Sequence, residues 1–140
     1  LALATQGPAV FARLLAADEG LKSDFCARER ALLGVTHGEI GAYLLELWGL
    51  PPRVVEAVRF HHEPGRSAYN GLCAVTCVHA ADALVSELVP VARPQAVDLR
   101  FARLDVAYLE RVGVADRCES WRQIATDFLQ GIQQREEVLV

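Results

Sequence analysis

A chain of 140 residues fits one domain, because single hydrophobic cores are commonly built from about 100 to 150 residues. Its hydrophobic fraction of 52% and charged fraction of 23% supply ample apolar surface to bury, which excludes intrinsic disorder as a reading. A net charge of -4 offers no general attraction toward polyanions, so neither nucleic acid nor an anionic membrane is expected as the main partner.

The first apolar pattern, Val10, Phe11, Leu14 and Leu15, recurs at helical spacing behind Gly7 and Pro8, and predicts a helix over about 8 to 19 closed by Gly20. Ser23 or Asp24 can cap the next run, DFCARERALLG, which stops at Gly34. Thr36 precedes HGEIGAYLLELWGL, and Glu39 stands at capping-box spacing. Ile40, Leu44, Leu47 and Trp48 share the face expected to be buried. Gly49 ends that helix, and Pro51 and Pro52 open another that runs to about His62, since a missing N–H costs little in a first turn.

The segment EPGRSAYNG reads as a loop. Beyond it, LCAVTCVHAADALVSELV is apolar nearly all round, with Leu72, Val75, Cys77, Val78, Ala81 and Leu84, and is expected at the centre of the domain. PVARPQAVDLRFAR, with two prolines and no period, is a surface connection. Asp105 caps the short helix VAYLERVG, and a last helix begins after Ser120 with Trp121, Ile124, Phe128 and Leu129 as its buried side. No segment alternates with a period of two, so the fold class is all-α, a multi-helix bundle.

Apolar runs are broken well before the roughly 20 residues that span a bilayer, and no basic-led signal peptide opens the chain, so a cytoplasmic protein is expected. Leu1 begins LALATQGP without an initiator Met, which reads as the start of a segment cut from a longer polypeptide. Cys26, Cys73, Cys77 and Cys118 lack the tight spacing of zinc or redox motifs and are read as buried thiols.

All four histidines fall where chemistry could gather: His37 opens one helix, His61 and His62 end another, and His79 with Asp82 shares one face of the apolar helix. Imidazole and carboxylate are the usual ligands of Zn, Mn or Fe. Adjacent helical positions diverge by about 100°, so His61 and His62 are not expected to point alike. The same residues admit an ordinary structural reading. Thr36 and His37 would begin a helix, His62 would complement a helix C-terminal dipole, and Asp82 would accept a backbone N–H.

Residues 29 to 64, ERALLGVTHGEIGAYLLELWGLPPRVVEAVRFHHEP, resemble the HDOD domain of bacterial signalling proteins. Glu29, Gly34, His37, Gly41, Trp48, Pro51 and HHEP at 61 to 64 stand in that family's order and spacing. VHAADAL at 78 to 84 and DVAYLERVG continue the likeness to about residue 125. The opening LALA resembles the stretch directly after the HD-x-G motif in related proteins, so residues 1 to 140 are expected to form one all-helical domain, the C-terminal portion of an HDOD-like unit without the part that bears any HD motif.

The resemblance implies a bundle of the HD-superfamily type and a remnant metal site at His37, His61, His62 and Asp82. It also implies a noncatalytic output module of the response-regulator kind, with a protein partner, an upstream receiver domain or a second copy of the chain. The chain has no HD dipeptide, and HHEP continues as GRSAYNG where a catalytic HD-GYP protein would carry DGxGYP. No cofactor is expected of such a module; the alternative is a metal-dependent phosphohydrolase, such as a cyclic dinucleotide phosphodiesterase, which would use a divalent metal, Mn, Fe, Zn or Mg. A third reading, nucleic-acid binding through the Arg93 to Arg103 stretch, is set against its ordinary role as a solvated connection.

Overall fold

The computed structural model describes residues 25–88 and 103–138, together with Ala9. The helix expected over about 8 to 19 and the connection through Arg93 lie outside the described residues, as does most of the Arg93 to Arg103 stretch. The described chain is all-α, with six helices: α1 Phe25–Leu33, α2 His37–Leu47, α3 Pro52–Phe60, α4 Ala74–Leu88, α5 Val106–Arg111 and α6 Cys118–Val138. Among the described residues no helix is long and apolar enough to cross a membrane.

Helix boundaries obey local chemistry. Gly34 sits at φ +73, a conformation that disfavours side chains, and its N–H closes α1 on the Arg30 carbonyl at 2.9 Å. Thr36 and Glu39 form the expected capping box. The Thr36 hydroxyl accepts from the Glu39 N–H at 3.3 Å, and the Glu39 carboxylate accepts from the Thr36 N–H at 2.9 Å. Thr36→Ala should therefore lower stability by about 1 kcal/mol, read as a fall in the thermal midpoint, whereas Thr36→Ser should leave it nearly unchanged.

The α2–α3 hairpin positions the site. Gly49 N–H bonds the Glu46 carbonyl and Leu50 N–H the Leu45 carbonyl, both at 3.0 Å, which stops α2 and turns the chain into Pro51 and Pro52. α3 returns so closely that a methyl group on Gly38 would stand 3.0 Å from the carbonyl oxygens of Val58 and Arg59, and one on Gly41 would stand 2.9 Å from Val58 Cγ1. The end of α3 thus lies against the start of α2, and the two histidines past α3 reach the one that opens α2.

The burial pattern departs from the sequence expectation. The line of α2 that packs inward is Gly38 and Ala42, while Leu47 and Trp48 are 64% and 69% exposed. The tight approach of α3 is possible only against small side chains, and that places the large apolar residues outside. Helix α4 buries Val75, Thr76, His79, Ala80, Ala83 and Leu84 but exposes Leu72 just before it and Cys77, Val78 and Ala81 along it. It is a one-sided helix packed on α3 and α6, not one surrounded on all sides. On α6, Trp121 packs against the buried cluster of Tyr108, Leu109 and Val114, whereas Ile124 and Phe128 are 63% and 66% exposed. The side of α6 turned inward is the one carrying Trp121, Ala125 and Leu129, each half-buried.

Asp105 caps α5 as expected, accepting from the Tyr108 N–H at 2.9 Å. Thr76 ties this end of the molecule to α4. Its hydroxyl donates to the Gly71 carbonyl at 2.8 Å and therefore accepts from the Tyr108 hydroxyl at 2.7 Å. Of the four cysteines only Cys26 is buried. Cys73 and Cys118 are half-buried and Cys77 is exposed, because it sits on the open face of α4.

A candidate metal centre of facing imidazoles

Helices α1, α2 and α4 and the turn beyond α3 supply the site. Glu29, fully buried on α1, reaches beneath the start of α2, where its Oε2 accepts both the His37 backbone N–H at 3.0 Å and the His37 ring Nδ1–H at 2.7 Å. One carboxylate thus satisfies an N–H that a helix start leaves unpaired and fixes the imidazole above it. Arg30, on the same helix, holds Glu39 of α2 at 3.3 Å and Glu63 of the turn beyond α3 at 3.7 Å.

His61 and His62 come directly after α3. The His61 Nδ1–H donates to the Val58 carbonyl at 2.7 Å, and its Nε2 lies 3.3 Å from His37 Nε2. His62 Nε2 lies 3.0 Å from the same atom, and its Nδ1 is 3.7 Å from Asp82 Oδ2 on α4. Both rings therefore turn toward His37, with centroids 5.2 and 4.9 Å from it and 4.0 Å from each other. His61 keeps helical backbone angles, φ -60 and ψ -25, so the two rings do not point alike; they lie 41° apart in plane and each reaches His37.

The outer partners set the tautomers. His61 Nδ1 faces a carbonyl oxygen and must carry its proton, and His37 Nδ1 faces a carboxylate and does the same. With both rings neutral, the two Nε2 atoms are lone pairs directed at one another across 3.3 Å. Two such acceptors repel unless a proton or a cation lies between them. Burial lowers the pKa of His61, partly opposed by its bond to the Val58 carbonyl. Burial, and after it the neighbouring imidazoles, lowers that of His62 to about 3. His62 is thus neutral at ordinary pH, which removes the reading in which it complements a helix dipole as a cation.

This depressed pKa ties stability to pH. Between pH 6.5 and about 3 the unfolded chain binds a proton at His62 that the folded chain does not. In the presence of a chelator, stability should be full above pH 6.5 and should decline as the pH falls through that window, beyond the loss shown by His62→Gln. Denaturant titrations at several pH values give the slope, and equal slopes for the two chains would remove His62 as its source.

Asp82 does not bond a backbone amide. Its Oδ2 is buried with no hydrogen-bond partner among the described residues, and Glu29 Oε1 is in the same condition. Of these two, only Asp82 stands with imidazoles in a group that could hold a cation, together with His61 and His62. His37, His61, His62 and Asp82, the residues singled out from the sequence, are brought together. His61, His62 and Asp82 have ligand atoms within 4.8 Å of one another, as do Cys26, His37 and His62.

His79 is different. Its Nδ1–H donates to the His61 carbonyl at 2.7 Å and its Nε2 accepts the Asp105 N–H at 2.9 Å, so both nitrogens are used and it holds the His61 turn in place. Sequence reasoning assigned Cys26 no site role, Glu29 only a place in a pattern, and His79 a place beside Asp82 on one helix face but none in the expected ligand set. The available signal was the i,i+3 spacing of Cys26 and Glu29, which places both on one face of α1.

Residues 1–64 match the family model of the HDOD domain, the part of the chain that carries the motifs through HHEP. Asp82 and the tail from Asp105 lie beyond the matched residues. The chain is also similar to ribonuclease Y of Deinococcus radiodurans, at 39% identity over 82 residues, or 57% of this chain. It spans only 13% of the length of that relative. No solved structure matches the chain.

Proposed function

We propose that this chain is a noncatalytic output domain of the HD-related type, passing a signal to a protein partner by contact, with one divalent cation held at its imidazole cluster. The observation that carries the reading is the meeting of three ring nitrogens, with His37 Nε2 at 3.3 Å from His61 Nε2 and 3.0 Å from His62 Nε2. Two nitrogens bound to one tetrahedral ion at about 2.0 to 2.1 Å stand about 3.3 Å apart, so the spacing suits a shared ion. His37, His61 and His62 would hold it, with Asp82 beside His62. Such an ion supplies positive charge that relieves the repulsion and locks α2 to the end of α3.

Hydrolysis asks more of a site. A bridging carboxylate normally holds a cation pair, and a water nucleophile needs a fixed open position. Among the described residues, Asp82 is the single carboxylate in either candidate ligand set, while Glu29 is occupied with His37. This donor set supports one ion rather than a bridged pair. A role in a response regulator, with an upstream receiver domain, rests on the family resemblance.

The second reading is a metal-dependent phosphohydrolase, and the similarity to a ribonuclease favours it. Purifying the full-length parent with Mn, Fe or Zn, measuring bound metal, and assaying RNA and cyclic di-GMP separates the two. Bound metal without turnover is the expected result. Turnover that disappears in His62→Ala would replace the output-domain reading with the enzyme.

A further inference from the structure

Cys26 stands outside the ligand set of His37, His61, His62 and Asp82, yet it is buried on α1 with its Sγ, a His37 nitrogen and a His62 nitrogen all within 4.8 Å of one another. We propose that Cys26 Sγ joins His37 and His62 as a ligand, making this a thiolate–imidazole site for Zn(II) or an ion of similar softness. The inference rests on the proposal that the imidazole cluster binds a cation, and it specifies which cation.

The orientation of the rings supports this assignment. His62 presents Nε2 toward His37 and Nδ1 toward Asp82. With Nε2 committed to the ion, its Nδ1–H points at the carboxylate, as the Nδ1–H of His37 points at Glu29 and that of His61 at the Val58 carbonyl. His37 and His61 then have the outer nitrogen bonded to an oxygen and the inner nitrogen turned to the ion, the usual arrangement around protein-bound zinc, and His62 has its outer nitrogen 3.7 Å from a carboxylate. Asp82 becomes the carboxylate that orients His62, and the thiolate supplies the negative charge at the ion. Thiolate donors select Zn(II) and related ions over Mg(II) and Mn(II), which favour oxygen. Binding replaces the S–H bond by an S–metal bond and releases the thiol proton to solvent, with no change of oxidation state.

Co(II) titration of the full chain reads this directly. The expected spectrum has the near-ultraviolet sulfur-to-cobalt charge-transfer band together with the visible bands of a tetrahedral ion. The charge-transfer band should vanish in Cys26→Ser and persist in Cys77→Ser, and Zn(II) affinity should fall by roughly tenfold or more in the first variant only. Visible bands without the charge-transfer band in the unaltered chain would overturn the thiolate ligand while leaving the imidazole site standing. The same holds if Mn(II) competes on equal terms with Zn(II). If the unaltered chain binds neither Co(II) nor Zn(II), both readings fail. Because the unaltered chain carries the decisive spectrum, the test does not depend on the serine variant folding.

Discussion

Gly38→Ala should lower the stability of this chain by about 1 to 3 kcal/mol, although alanine is the better helix former. The added methyl would stand 3.0 Å from two backbone carbonyl oxygens, Val58 and Arg59, and backbone cannot rotate aside as a side-chain end can. Helix α3 would have to shift outward, carrying His61 and His62 away from His37. The loss of stability should therefore be accompanied by weaker Zn(II) binding. Gly131 on α6 provides the opposite case, because a methyl there would meet nothing within 4 Å. Gly131→Ala should raise stability by about 0.5 to 1 kcal/mol through helix propensity alone and leave metal binding unchanged. Thermal denaturation and Zn(II) titration of the two variants test this pairing, and a neutral or stabilising Gly38→Ala would show that α2 and α3 are not packed as described.

Glu29→Ala is the second substitution with a large expected effect. It removes the acceptor for the backbone N–H and the ring Nδ1–H of His37. Hydrogen bonds to a charged group contribute about 1.5 to 3 kcal/mol, and part of the loss is offset because a buried oxygen without a partner, Oε1, leaves with the side chain. A net fall of about 2 to 3 kcal/mol is expected. The freed ring can take up the other tautomer, which turns an N–H toward His61 in place of a lone pair. Metal affinity should drop by about 10- to 100-fold, the usual effect of losing an orienting partner. Glu29→Gln keeps an acceptor of the same length and should recover much of the affinity. Unchanged Zn(II) affinity in Glu29→Ala would mean that the carboxylate does not set the ring.

The features legible in the sequence were those encoded locally. Thr36 with Glu39, Gly34, Gly49 with Pro51 and Pro52, and Asp105 each mark a helix end by the hydrogen bonds or backbone angles they permit within a few residues. The residues of the site were legible as types, through their resemblance to a family pattern. Their convergence was not, since it depends on Gly38 admitting the returning helix. Burial was misjudged for the same reason. Leu47, Trp48, Ile124 and Phe128 lie on apolar stripes, and periodicity says that a helix has such a stripe without saying whether a neighbour covers it. Glu29 and Cys26 were hidden because their significance lies in what another helix places above them.

His79 connects distant stretches of the chain by a single rigid ring. One edge holds the carbonyl of His61 and the other the amide of Asp105, 26 positions further along than His79 itself. An imidazole has no internal joint, so a displacement of the segment entering α5 is passed to the turn beyond α3 unless one of these bonds breaks. The centre can thus be pushed from a part of the surface that contributes no donor to it.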